Sequence, residues 1–225
     1  MPDPAHILRS QALPIRADVW PAHALAHAPL AVVPTGNAEL DAELPAGGWP
    51  LGNLIEILQP VAAHSEWRLV LPALVRQGVG VVVLVGAPHR PFLPALQAEG
   101  LLAHRLLQVE AGDATQRLWT TEQALQCAAV NAVLAWLPRT QAGSLRRLHL
   151  MALGQDKLLF VMRPQDVQSE ASPAPLRLRV QPADQGPWDA VCVQVFKRRG
   201  PPMSSGLVLQ PRHAHLRLAC EAQIG

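Results

Sequence analysis

Val33-Pro-Thr-Gly-Asn-Ala-Glu-Leu-Asp-Ala-Glu-Leu-Pro-Ala-Gly-Gly-Trp-Pro-Leu-Gly-Asn-Leu-Ile-Glu-Ile-Leu-Gln-Pro60 carries more structural punctuation than any other part of the chain. Its first nine residues read as a turn and a short helix, with Thr35 as the cap. Gly47, Gly48, Pro50 and Gly52 then form a tight turn region, and Leu54–Leu58 follows as a strand. Working outward, residues 65–77 place Trp67, Val70, Leu71 and Leu74 at helical spacing. Val79–Val85 is a β-branched run closed by Gly86, the pattern of a strand covered on both faces. Helices over 91–98, 114–128 (capped by Asp113) and 144–153 alternate with strands over 106–110, 132–137 and 158–162. That alternation predicts βαβ crossovers and a mostly parallel sheet with helices on both faces. Residues 165–175 read as a polar loop, and 176–180, 190–196 and 206–210 as antiparallel strands extending one sheet edge. The expected organisation is an N-terminal segment 1–30, an α/β core 31–164, an edge extension 165–210 of the same domain, and a tail 211–225.

Composition narrows the function classes. Of the 225 residues, 49% are hydrophobic and 16% charged, which excludes a disordered chain. The three cysteines, Cys127, Cys192 and Cys220, are scattered and odd in number, so they read as small hydrophobes and not as a disulfide framework. No apolar run approaches the ~20 residues of a membrane span. No basic segment followed by an apolar stretch opens the chain, so the expected location is cytoplasmic, without membrane contact. The net charge of +2 conceals −3 in residues 1–112 and +5 in residues 113–225, a split suited to nucleic acid or an acidic partner in the second half.

The order and spacing of Thr35-Gly36, Leu40-Asp41, Gly47-Gly48-x-Pro50-x-Gly52 and Glu56 resemble the entry to the ATPase core of RecA-like recombinases. The resemblance implies a RecA-like P-loop NTPase core. In an active member the next element is G-x-x-x-x-G-K-[ST], whose backbone N–H groups and lysine hold the phosphates. Here it reads Gln59-Pro60-Val61-Ala62-Ala63-His64-Ser65-Glu66. Gln59 and His64 replace the glycines, Ser65 the lysine, and Glu66 the hydroxyl that would hold Mg²⁺. A carboxylate there repels polyphosphate; Ser65 and Glu66 instead suit the opening of a helix. The position of the catalytic glutamate after the second core strand is Pro88, and the strand end expected to carry a Mg²⁺-binding acid holds Trp136 and Leu137. The expectation is a degenerate phosphate loop, no ATP hydrolysis, no cofactor and no metal.

A RecA-like fold stripped of these parts resembles the ImuA family, the RecA-like accessory proteins of bacterial mutagenic translesion synthesis, over about residues 20–209. The matching features include Leu118-Trp-Thr-Thr-Glu-Gln-Ala-Leu125, Ala132-Val-Leu-Ala-Trp-Leu-Pro138, Leu145-Arg-Arg-Leu148 and Lys197-Arg-Arg-Gly200. The resemblance implies a DNA-damage (SOS) induced protein working with an ImuB-like polymerase-related partner and through it an error-prone DNA polymerase. DNA and RecA are further candidate partners. The family is related to SulA, so a cell-division inhibitor acting by protein–protein contact is the alternative. An ATP-dependent RecA-like DNA-binding protein is a distant third.

Lys197, Arg198 and Arg199 form the densest basic cluster and are the candidate contact to DNA phosphate or to the partner; the competing reading is an edge guard against strand pairing. His23 with His27, and His213 with His215, have metal-compatible spacing but lack acidic or thiol partners. Glu122 reads as a surface or ion-paired carboxylate, Arg146 and Arg147 as the polar face of a helix, and Trp119 and Trp136 as core.

Overall fold

The computed structural model describes residues 30–60, 65–184 and 190–209. Residues 61–64 of the degenerate loop, both histidine pairs and Cys220 lie outside them. The chain starts with β1 (Val32–Val33), helix α1 (Ala38–Glu43), a 3₁₀ turn at Pro45–Gly47 and β2 (Trp49–Pro50). The helix cap is Asn37, whose side chain accepts from the Leu40 N–H, and not Thr35 as expected. Thr35 instead accepts from the Asn37 N–H through its hydroxyl and donates its own N–H to Asp41 (2.7 Å). Its side chain is therefore spent on the turn one step earlier. The Gly-Gly pair answers a close approach: a Cβ on Gly48 would lie 2.5 Å from the Val33 carbonyl oxygen. Only with that contact free can β1 and β2 pair, Val33 opposite Trp49.

The remaining elements are β3 (Leu54–Gln59), α2 (Glu66–Arg76), β4 (Val81–Val85), α3 (Leu93–Ala98), a 3₁₀ turn at Ala103–Arg105, β5 (Leu106–Val109), α4 (Ala114–Gln126), β6 (Val130–Trp136), α5 (Ala142–Ala152), β7 (Leu158–Pro164), a 3₁₀ helix at Gln165–Ser169, β8 (Leu176–Pro182), β9 (Val191–Lys197) and β10 (Leu207–Leu209). The sheet order is β10-β9-β8-β3-β7-β6-β4-β5, so Leu54–Leu58 and Val81–Val85 share one sheet as expected. Five core strands, β3 to β7, are mutually parallel. One strand departs from expectation: β8 runs parallel to β3, and the antiparallel pairings are those of β9 with β8 and with β10. Residues 165–175 explain this. They carry the chain from the Gln59 end of β3, where β7 finishes, back to its Ile55 end, so β8 starts from the same side as β3. Val79 stays outside β4 and is 92% exposed, because Gly78 and Gly80 keep it in the turn.

Alternating side chains send two apolar clusters to opposite faces. One packs Ile55, Ile57, Leu84, Leu134 and Phe160 under α1 and α2; the other packs Leu54, Val83, Val133 and Leu159 under α4 and α5. Asp113 caps α4 as predicted, accepting from the Gln116 N–H at 2.8 Å. No helix among the described residues is long and apolar enough to cross a membrane.

α5 is tied to β3 by the Leu54 N–H, which donates to His149 Nδ1 at 3.3 Å. Burial, reinforced by the charge of Lys197, holds His149 below the ordinary imidazole value near 6.5. The unfolded chain therefore takes up this proton before the folded one does. His149 weakens the fold as pH falls through about 6.5 toward its lowered value, and its contribution is complete above that range. Urea midpoints should fall between about pH 7.5 and pH 5.5, and His149→Gln should flatten that part of the profile.

Candidate functional site

The carboxyl ends of β3, β4, β5, β6 and β7 open into one cleft of about 700 Å³, where ligands bind in open parallel sheets. Gln59, Pro88 and Trp136, the three positions singled out as replacements of ATPase chemistry, all line it. Sequence order separates them by as many as 77 positions; the sheet brings them together because β3, β4 and β6 lie within four adjacent strands. Leu137 turns the other way, into the α4/α5 cluster.

The floor of the cleft is buried. The Gln59 amide and the Trp136 indole N–H are buried and have no hydrogen-bond partner among the described residues. Each unmade bond of this kind costs about 1–3 kcal/mol, so neither group is neutral filler. Ser65 stands at the N-cap of α2, but its side chain makes no cap bond; its N–H donates to Glu66 at 3.2 Å. Glu66 is fully buried in the first turn, where a carboxylate complements the helix dipole.

Arg117, on α4, was not among the expected site residues. Its Nε donates to the Ala111 carbonyl (3.1 Å) and one terminal nitrogen to the Trp136 carbonyl (3.2 Å). The guanidinium thereby bridges the ends of β5 and β6. Gly86 is the residue that admits it: its φ is +63°, and a Cβ there would sit 2.7 Å from Arg117 Nε. A glycine closing a buried strand and an arginine three residues into a capped helix were both visible in the sequence, but not their meeting.

Behind the cleft lies a buried ion cluster. Glu56, fully enclosed, accepts from Arg163 (3.2 Å) and Arg177 (2.5 Å). Arg163 also donates to Glu170 (2.9 Å) and the Thr140 carbonyl (3.2 Å). Arg177 donates to the carbonyls of Val167, Gln168 and Glu170 and stacks over Phe196 at 5.0 Å. The two arginines stand at the two ends of the β7–β8 crossover, so one carboxylate on β3 anchors both. Lys157 is a further buried cation, donating to the Leu125 and Cys127 carbonyls at the end of α4. Burial lowers its pKa, partly offset by Cys127.

The basic cluster is more engaged than expected. Lys197 donates to the Ser172 carbonyl (2.7 Å). Burial, then the charge of Arg177, lowers its pKa, with Glu56 pulling the other way. Arg198 pairs with the Glu43 carboxylate (2.8 Å) and donates to the Glu43 and Pro201 carbonyls. Arg198, offered as a contact to DNA or a partner, is thus already spent on tying the end of β9 to α1. Arg199 is exposed. Two further readings change. Trp119 is 62% exposed on α4 and not core, and Cys127 is exposed, whereas Trp136 is buried. Glu122 is ion-paired with Arg147 across α4 and α5. Among the described residues, no three His, Cys, Asp or Glu side chains are grouped to hold a metal.

No family model matches the chain. Among solved structures, the RadB recombinase superposes with a TM-score of 0.59 at 15% identity, covering 78% of this chain and 93% of that one. This likeness shows the RecA-like fold alone. The cell division inhibitor SulA of Edwardsiella piscicida is 31% identical over 130 residues, 56% of this chain and 77% of that protein. Protein ImuA of Caulobacter vibrioides (strain NA1000 / CB15N) is 30% identical over 178 residues, 71% of this chain and 72% of that protein. Identity at this level across more than two thirds of both proteins places the chain in the ImuA/SulA family.

Proposed function

We propose that the chain is a non-catalytic accessory protein of the DNA-damage-induced translesion synthesis machinery. It binds an ImuB-like polymerase-related partner and through it an error-prone polymerase. The observation that carries this reading is the re-lined cleft: Gln59, Pro88 and Trp136 meet where a RecA-like ATPase needs a phosphate loop, a catalytic carboxylate and a Mg²⁺-holding acid. The fold is kept while its phosphate chemistry is gone, as suits a protein that works by contact. Greater coverage favours the ImuA side, since the match to the Caulobacter protein spans 71% of the chain against 56% for the Edwardsiella protein.

The second reading, a SulA-like inhibitor of cell division, rests on the 77% of the Edwardsiella protein that the chain covers. Capture experiments with the chain as bait against an ImuB-like and an FtsZ-like protein of the same organism separate the two. The expected result is capture of the ImuB-like protein, and phosphate release from ATP, Mg²⁺ and single-stranded DNA no faster than in buffer. Lys197→Gln with Arg199→Gln should weaken the capture in a salt-dependent way while leaving Arg198 on Glu43. Capture of the FtsZ-like protein alone, or stoichiometric turnover of ATP, would replace this reading.

A further inference from the structure

The charges around the cleft do not cancel. Arg163 is committed to Glu56 and Glu170, and Glu110 at the rim is paired with Arg90 at 3.2 Å. Arg117 remains: two backbone carbonyls fix its guanidinium, and no carboxylate pairs with it among the described residues. The clearance left by Gly86 shows that the backbone is shaped to seat this arginine. The other unmatched groups are the buried amide of Gln59, the indole N–H of Trp136 and the Nε of Arg163. Beside them the lining includes the apolar Pro88, Pro138 and Met162. One cation without a carboxylate partner, three residues with unused hydrogen-bonding groups and apolar walls are the usual make-up of a small-molecule pocket.

We infer that the cleft binds a small organic monocarboxylate carrying a flat apolar body. The carboxylate lies on the Arg117 guanidinium, whose planar fork matches it. The body rests against Pro88, Pro138 and Met162. A nucleoside triphosphate brings several more negative charges than a single arginine balances. The site is independent of the partner contacts proposed above.

The test uses the full chain in calorimetric titration and saturation-transfer NMR with benzoate, phenylacetate and indole-3-acetate, each beside its own amide, and with ATP. At least one acid should saturate with a Kd of about 1 mM or tighter. Its amide should bind about tenfold more weakly or worse, because the charge-assisted bond is lost. Arg117→Lys keeps the charge but not the fork and should weaken the acid. Arg117 also holds two strand ends, so Pro88→Glu, at an exposed rim position, serves as the second variant: both ligands lose the proline contact, but the added charge should weaken the acid more than the amide. Overturning results are no saturation by any acid, equal binding of acid and amide, or acid binding unchanged in a folded Pro88→Glu protein. Tighter binding of ATP in competition with the acid would also overturn it.

Discussion

Replacing Glu56 with alanine should lower the unfolding free energy by about 3–5 kcal/mol, the scale seen when one member of a buried ion cluster is removed. The substitution leaves Arg163 and Arg177 enclosed in the protein with the buried counter-charge they share gone. Glu170 still faces Arg163, but its side chain is half exposed and sits outside the sheet. Arg177 would keep only carbonyl acceptors and the Phe196 ring. Chemical denaturation followed by circular dichroism measures the loss. A drop below about 1 kcal/mol would show that carbonyls, with Glu170 beside Arg163, suffice for the two guanidinium groups. Substituting all three residues together by apolar ones of similar volume should recover much of the loss, because desolvation of the charges disappears with them.

Trp49→Ala should cost about 3–5 kcal/mol, the range for emptying a fully buried aromatic site. Trp49 has no exposed surface and meets Phe160 edge-on, with ring centroids 5.3 Å apart at 89°. Trp49→Phe should cost much less. The indole N–H makes no hydrogen bond among the described residues, so removing it sacrifices only volume. Equal losses for the two variants in thermal melts would mean that the nitrogen has a role that its surroundings do not show.

The core of the fold was open to sequence reading because local chemistry and global topology agree there. The β-branched run before Gly86, the helical spacing from Trp67 to Leu74 and the Asp113 cap all use contacts within a few residues. The direction of β8 was not legible. Alternation tells which face a side chain takes, but not which way its neighbour runs. The Trp119 reading failed because apolar neighbours on a helix mark a stripe, and Trp119 lies beside that stripe and not in it. At the site, Gln59, Pro88 and Trp136 could be named one at a time from the motif they replace. Arg117 could not be named, since its role depends on carbonyls of Ala111 and Trp136 and on the space above Gly86. Glu56 stood in the motif as a conspicuous acid in an apolar strand, yet its partners lie 107 and 121 residues further on.

That separation gives the chain a timetable. Glu56 leaves the ribosome more than a hundred residues before either arginine that neutralises it. β3 acquires both its sheet neighbours, β7 and β8, only from the last third of synthesis. Non-local pairing of this kind is slow and leaves strand edges open in the interim. Until residues 163 and 177 are made, β3 is a mostly apolar strand whose one carboxylate has neither of its arginine partners.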